Sequence, residues 1–336
     1  MRYYFLVGAV VAAMAAWAGF WFFAAGQVRT EIERHAGEST PARDWTYEKL
    51  DISGFPVRIQ ADLKQSRLDL RGGSGALSWE TDHIKAVGHP WQPRHVLLDL
   101  SGRHLFIAMR REKPRQFSLN NRKALASLKT GGEGELARLS LDINDMELSY
   151  EGTAAVRAAR LQLHGRPNPE QPDAFDLALR GEAVDLLEGA RRLKLAGLPR
   201  AAQLLDLQTT VTGLEGTMAV AGGLAHWRDD GGTLEINKLH LQWGDIEITA
   251  SGSLALDDRM RAIGALTARI KGHDELLKLA VANGAMEKKN LLPARAVLGL
   301  LAAAAGGVLS VPVRLQDGKL FLGPAAIARL APIVGE

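Results

Sequence analysis

A chain of 336 residues with 46% hydrophobic and 24% charged residues has the composition of a folded protein, which excludes a wholly disordered one. Its 41 Lys and Arg against 38 Asp and Glu leave a net charge of only +3, so there is no electrostatic footprint for nucleic acid. With no cysteine, disulfides, thiolate nucleophiles and Cys-ligated zinc are excluded together.

The first element is the uncharged run Tyr4 to Ala25, which at 1.5 Å per residue crosses a hydrocarbon core of about 30 Å. A cleaved signal peptide is the competing reading, because Ala13-Met14-Ala15 has the small-x-small form. Cleavage there would leave Trp17 to Phe23 exposed, and the run exceeds the roughly 7 to 15 residues of a signal core, so the expectation is an uncleaved anchor. Arg2 precedes the span and both signs follow it, which predicts a cytoplasmic N-terminus and an exported remainder. Gln27 to His35 continues the helix until Gly37 and Pro41 end it. The predicted division is thus 1–35, anchor and helical extension, and 36–336, an exported β-rich domain.

From Trp45 onward the dominant signal is alternation with period two, the mark of strands with one buried face. Val57, Ile59, Ala61 and Leu63 alternate with polar residues in one predicted strand, with Pro56 at its start. Hairpin turns are predicted at Ser101-Gly102, Asn144-Asp145, Gly244-Asp245 and Asp317-Gly318. At Gly244-Asp245 a two-residue turn sets Trp243 opposite Ile246, so the apolar residues on either side share a face. Helices are predicted for "LNNRKALASLK" capped by Ser118, for "LPRAAQLLDL" with Pro199 in its first turn, for "DELLKLAVANG" from Asp274, and for an alanine-rich segment opened by Pro293. Roughly a dozen strands against three or four short helices define a mainly β, α+β fold: a curved or groove-like antiparallel sheet built of hairpins after one transmembrane helix.

Catalytic signatures are missing. No Gly-x-Ser-x-Gly elbow, His-Glu-x-x-His or phosphate-binding Gly-x-x-x-x-Gly-Lys-Ser/Thr occurs. Gly132-x-Gly134-x-x-Ala137 imitates a dinucleotide fingerprint but follows a predicted helix and precedes a strand, the reverse of what that motif needs. His83, His89 and His95 form the densest histidine cluster. Pro90 and Pro93 break the segment, so they read as surface histidines in a loop rather than metal ligands. Asp257-Asp258 reads as a polar turn between Ser253 to Leu256 and Ala262 to Ile270, not as a paired acid and base. The expectation is a chain with no enzymatic activity, metal or cofactor.

The anchor, "SGFPVRIQADL" (53–63), "LQWGDIEITASGSLALDD" (241–258) and "VPVRLQDGKLFLGPAAIARLAPI" (311–333) together resemble the domain of unknown function 2125 family of alphaproteobacterial envelope proteins. Gly54-Phe55-Pro56, Asp317-Gly318 and Leu322-Gly323-Pro324 carry the likeness. More distantly, Gly252-Ser253-Leu254-Ala255-Leu256-Asp257 followed by Gly264-Ala265-Leu266 is similar to a pattern of AsmA-like envelope proteins. The likeness implies an inner-membrane-anchored β-rich periplasmic protein concerned with outer-envelope maintenance or movement of phospholipid along an apolar groove. This chain is shorter than the members of that group thought to bridge the periplasm. The expected groove lining is Leu239, Leu241, Trp243, Ile246, Ile248, Leu254 and Leu256, with phospholipid or lipoprotein acyl chains as ligand. The alternative is a scaffold with a closed β core that binds another envelope protein.

Overall fold

A computed structural model of the chain describes residues 2–72, 75–110, 113–191, 200–214, 223–282, 284, 286–304, 308–323 and 325–333. Its contacts divide into two compact units, residues 1–143 and 144–336.

The first unit opens with helix α1 (Arg2–Gly37), among the described residues the one helix long and apolar enough to cross a membrane. Arg34 and His35 in its last turn complement the negative end of the helix dipole. From the end of the apolar run onward, the same helix packs on the sheet. Ala25 and Val28 meet Ile59, and Ile32 lies against the core of Leu50, Ala61, Leu63 and Ile84.

Strands β1 (Arg43–Thr46) and β2 (Lys49–Ser53) share one edge of β3 (Ile59–Gly72), whose other edge pairs with β4 (Gly75–His89). The strand expected to include Val57 begins instead at Ile59. Gly54 to Arg58 form a turn in which Gly54 has φ +103° and the Arg58 amide bonds the Gly54 carbonyl at 3.1 Å.

Next come β5 (Gln92–Asp99), β6 (Gly102–Arg110), β7 (Lys113–Asn121), β8 (Lys123–Thr130) and β9 (Leu136–Tyr150). Two expectations fail here. Ser101-Gly102 is no hairpin, because β5 and β6 both pair with β4, Lys85 opposite Asp99 and Thr81 opposite His104. They are one strand line broken by a kink, and side chains take over its lost ladder bonds. The Ser101 amide donates to Asp99 Oδ1 at 3.0 Å, Asn121 Nδ2 donates to the Leu100 carbonyl at 3.3 Å, and the Ala124 amide donates to Ser101 Oγ at 3.1 Å. The helix expected over "LNNRKALASLK" is likewise two strands. Ala124 and Ala126 are buried and alternate with exposed Lys123 and Leu125, a period of two, and Leu125 to Lys129 pair with β5. Helix-favouring alanine, leucine and lysine there yield to the vacant edge of β5. The Gly132-x-Gly134 segment accordingly joins two strands.

Asn144-Asp145 does not turn either, since β9 runs through it with Asp145 at φ +50°. The reversal comes at Glu151-Gly152 (φ +49° and +75°), leading into β10 (Thr153–Pro167).

The second unit continues as a meander: β11 (Ala174–Leu186), β12 (Ala201–Thr212), β13 (Leu234–Trp243), β14 (Ile246–Leu256), β15 (Ala262–Lys271), β16 (Leu309–Gln316), β17 (Lys319–Leu322) and β18 (Ala325–Arg329). Each strand from β10 to β18 pairs antiparallel with the next. The fold is mainly antiparallel sheet with short helices, though the described strands number eighteen rather than a dozen. "AAQLLDL" is strand β12 and not the expected helix, paired on both edges; Pro199, its expected first turn, lies outside the described residues. The turns at Gly244-Asp245 and Asp317-Gly318 form as expected, with Trp243 opposite Ile246 and Gln316 opposite Lys319. Helix α2 (Gly223–Asp229) precedes β13, and α3 (His273–Ala282) and α4 (Leu291–Ala304) lie between β15 and β16. Asn283, expected to close α3, and Pro324 lie outside the described residues. Leu277 of α3 and Ala294, Leu298 and Ala302 of α4 form the main core with Ile270, Leu309, Val311, Val313 and Leu322.

Candidate apolar binding face

Register alone assembles an apolar face in the second unit. Across the strands, Leu163 pairs with Leu179, Leu179 with Leu207, Leu207 with Leu239, Leu239 with Ala250, Ala250 with Ala268 and Ala268 with Val311. Side chains alternate along a strand, so neighbouring rows two residues away share the face: Leu161, Gly181, Leu205, Leu241, Ile248 and Ile270 on one side, and Leu177, Thr209 and Ile236 on the other. A bulge at Asn237-Lys238 keeps Ile236 and Leu239 on that same face despite their odd spacing.

The reverse face is polar. Lys238 Nζ donates to Asp206 Oδ2 at 2.6 Å, Thr210 Oγ1 to Asp176 Oδ1 at 3.0 Å, and Arg166 Nε to Asp176 Oδ2 at 3.3 Å. The Lys238 hydrogen bond holds the Asp206 carboxyl below its ordinary range, against the opposing effect of burial. This sheet therefore has one dry side and one wet side.

All seven expected lining residues fall on the apolar face, in differing surroundings. Leu239, Ile248 and Leu254 are half-buried against the core that α3 and α4 cover, Ile246 and Leu256 are buried, and Leu241 and Trp243 are half-buried on β13. Leu254 and Leu256 also line a cavity of about 440 Å³ with Val211, Leu214, Leu224 and Trp227. Trp227 is fixed there by its indole N–H, which donates to the Thr212 carbonyl at 2.7 Å.

The wider part of the face was not read from the sequence. Leu161, Leu163, Leu177, Leu179, Leu205 and Leu207 on β10 to β12 are all half-buried. Alternation in "RLQLHG" and "FDLALRG" carries the signal, whereas the adjacent Leu204 and Leu205 obscure it in β12.

The other candidates make hydrogen bonds within the fold. His83, His89 and His95 lie on β4 and β5 rather than in a loop, because the only break between those strands is Pro90-Trp91. They do not converge: His83 Nε2 is 3.1 Å from Asp62 Oδ1, His89 Nδ1 is 3.2 Å from the Val57 carbonyl, and His95 Nε2 is 2.9 Å from Ser127 Oγ. Among the described residues no group of three or more His, Asp or Glu is placed to hold a metal. Asp257 Oδ1 accepts the Arg259 and Arg261 amides at 2.9 and 2.8 Å, and Oδ2 accepts Arg261 Nε at 2.7 Å. That arrangement, led by the Arg261 side chain, lowers the Asp257 carboxyl and fits a turn-forming anion.

An apolar N-terminal helix followed by antiparallel sheet, which in the second unit is a meander with one apolar and one polar face, defines a class of helix-led β-sheet protein. Within that class, the chain belongs to the family described as "Uncharacterized protein conserved in bacteria (DUF2125)", whose profile matches residues 21–331. No curated protein matches it.

Proposed function

We propose that this protein is a non-enzymatic, inner-membrane-anchored periplasmic protein that holds phospholipid or lipoprotein acyl chains on its apolar sheet face, in envelope maintenance or lipid transfer. The observation that carries the reading is the row Leu163, Leu179, Leu207, Leu239, half-buried on a sheet whose opposite face is polar. Four strands at about 4.8 Å spacing and seven residues of β11 at about 3.4 Å give an apolar area roughly 15 by 20 Å, large enough to lay down alkyl chains. The cavity beside Trp227 and Leu254 extends that surface with a recess suited to a chain end. The AsmA-like pattern supports the same reading, because Gly252, Leu254, Gly264 and Leu266 all belong to this face. Arg2 before the span supports an exported sheet.

Photocrosslinking in intact cells tests it. A benzophenone amino acid at Leu179 or Leu207 is expected to yield phospholipid adducts by mass spectrometry, and one at Gln208 on the polar face none. Equal labelling from both faces, or no lipid adduct from either leucine, overturns the reading.

A second reading, a scaffold for another envelope protein, is favoured by one observation. Helix α4 buries Leu298 in the core yet leaves Leu292 and Leu300 each 75% exposed. Crosslinkers at Leu300 that capture one discrete protein, with no lipid at Leu207, would favour it.

A further inference from the structure

We infer that two turns of the first unit seat in the membrane interface beside α1, so that its sheet stands on the bilayer instead of swinging from a tether. The inference rests on reading α1 as a membrane span.

The turn Gly54 to Arg58 is bound to the part of α1 that lies inside the uncharged run. Trp17 Nε1 donates to the Pro56 carbonyl at 2.9 Å, and Trp21 Nε1 donates to the Arg58 carbonyl at 3.0 Å. The Phe55 ring packs edge-on against Trp21 and stacks on Phe22, with centroids 5.4 and 5.7 Å apart. The second turn, Pro90-Trp91, joins the same cluster. Trp91 lies 5.9 Å from Trp17 and stacks on His89 at 4.8 Å, while His89 Nδ1 reaches the Val57 carbonyl at 3.2 Å.

Depth follows from the helix. Trp17 and Trp21 precede Ala25 by eight and four residues, about 12 and 6 Å along the axis. Whatever is bound to both indoles sits below the level at which the span leaves the hydrocarbon. A water-facing turn would carry polar tips, but Phe55, Val57 and Trp91 are 51%, 55% and 52% exposed. Aromatic rings with an apolar body and a polar edge are the side chains that settle at this level. Within the span an indole N–H has no water to bond, so the two turn carbonyls complete the helix and the helix completes the turns. Exposed Arg58 sits where a guanidinium can reach lipid headgroups while its stem stays in the apolar layer. The occupant of this exposed aromatic surface is therefore the leaflet that α1 itself crosses.

The natural absence of cysteine makes a direct test possible. Full-length protein with a single nitroxide at Val57→Cys, Trp91→Cys, Val11→Cys or Arg71→Cys is reconstituted in vesicles of phosphatidylethanolamine and phosphatidylglycerol. Accessibility to oxygen and to a water-soluble nickel chelate is then compared. Val11 reports the span itself, and Arg71 lies twelve residues along β3 from Ile59, about 40 Å away. The expected result is an oxygen-favoured label at both Val57 and Trp91, about 5 to 10 Å below the headgroup boundary. Nickel accessibility at Val57 and Trp91 equal to that at Arg71, with Val11 still lipid-exposed, overturns the inference alone. Shielding of Val57 and Trp91 from both reagents, as under a protein partner, overturns it too. Nickel access at Val11 overturns the membrane reading of α1 and this inference with it.

Discussion

The Leu254 side chain lies over Gly264: a Cβ at position 264 would stand 3.1 Å from Leu254 Cδ2 and 2.2 Å from the Ser253 carbonyl oxygen. The relationship is reciprocal, since a Cβ at Gly252 would meet Leu266 Cδ2 at 3.0 Å and the Ala265 carbonyl oxygen at 2.3 Å. Both glycines also hold φ near +145°, at +147° and +142°. The Gly-x-Leu pairs on β14 and β15 are thus two halves of one interlock. Gly252→Ala and Gly264→Ala should each destabilise the protein by roughly 1–3 kcal/mol, from strain and displaced backbone. Thermal unfolding of the two variants checks this, and a melting temperature unchanged in either would refute the interlock.

Leu298 of α4 is fully buried beneath the helix pair. Leu298→Ala leaves a cavity that neighbours cannot fill completely, so a loss of about 2–5 kcal/mol is expected. Denaturant titration of the variant measures it. A loss below about 1 kcal/mol would mean that α3 and α4 collapse onto the sheet.

Leu207 stands on the half-buried part of the face, where burial contributes less. Leu207→Lys is expected to change stability by no more than about 1 kcal/mol. It should nonetheless abolish lipid adducts from a crosslinker at Leu179, its cross-strand neighbour. Adducts that persist undiminished would separate lipid capture from this face.

The Asp206–Lys238 pair gives a pH dependence of known sign. Because hydrogen bonding to Lys238 holds the folded Asp206 carboxyl below its ordinary range, its contribution is complete above the unfolded value of about 4. It is lost as pH falls through the lower, folded value. Lys238 is half exposed, so solvent screening limits the contribution to about 1 kcal/mol. Asp206→Asn should be less stable than wild type at neutral pH, with the gap closing below about pH 4. Parallel unfolding curves from pH 3 to 7 measure it; a gap independent of pH would place the effect in packing.

Which features were legible depended on whether a local pattern had one structural solution. Asp317-Gly318 and Gly244-Asp245 stand between alternating runs and have the residues that tight turns require, and both reverse the chain. Asn144-Asp145 shows the same switch of alternation, yet Asp145 at φ +50° resolves it as an irregularity within β9. A change of apolar register is satisfied equally by a turn or a bulge, and only the partner strand decides. Leu119 to Lys129 has the composition of a helix, and the broken strand line opposite β4 is a tertiary demand that no window around Ala124 contains. For the candidate face, β13 and β14 were legible because one hairpin joins them. The width contributed by β10 to β12 depends on the pairing of Leu163, Leu179 and Leu207, residues far apart in sequence.

Nearest-neighbour pairing from β10 to β18 also bears on how this half of the molecule is made. Every strand in that run pairs with the strand before it in the chain, β15 and β16 doing so across the α3–α4 insertion, so each can add to its predecessor as the chain is delivered N-terminus first. The same arrangement is modular. Gain or loss of one hairpin would change the width of the dry face by about 10 Å while leaving every other strand its neighbours.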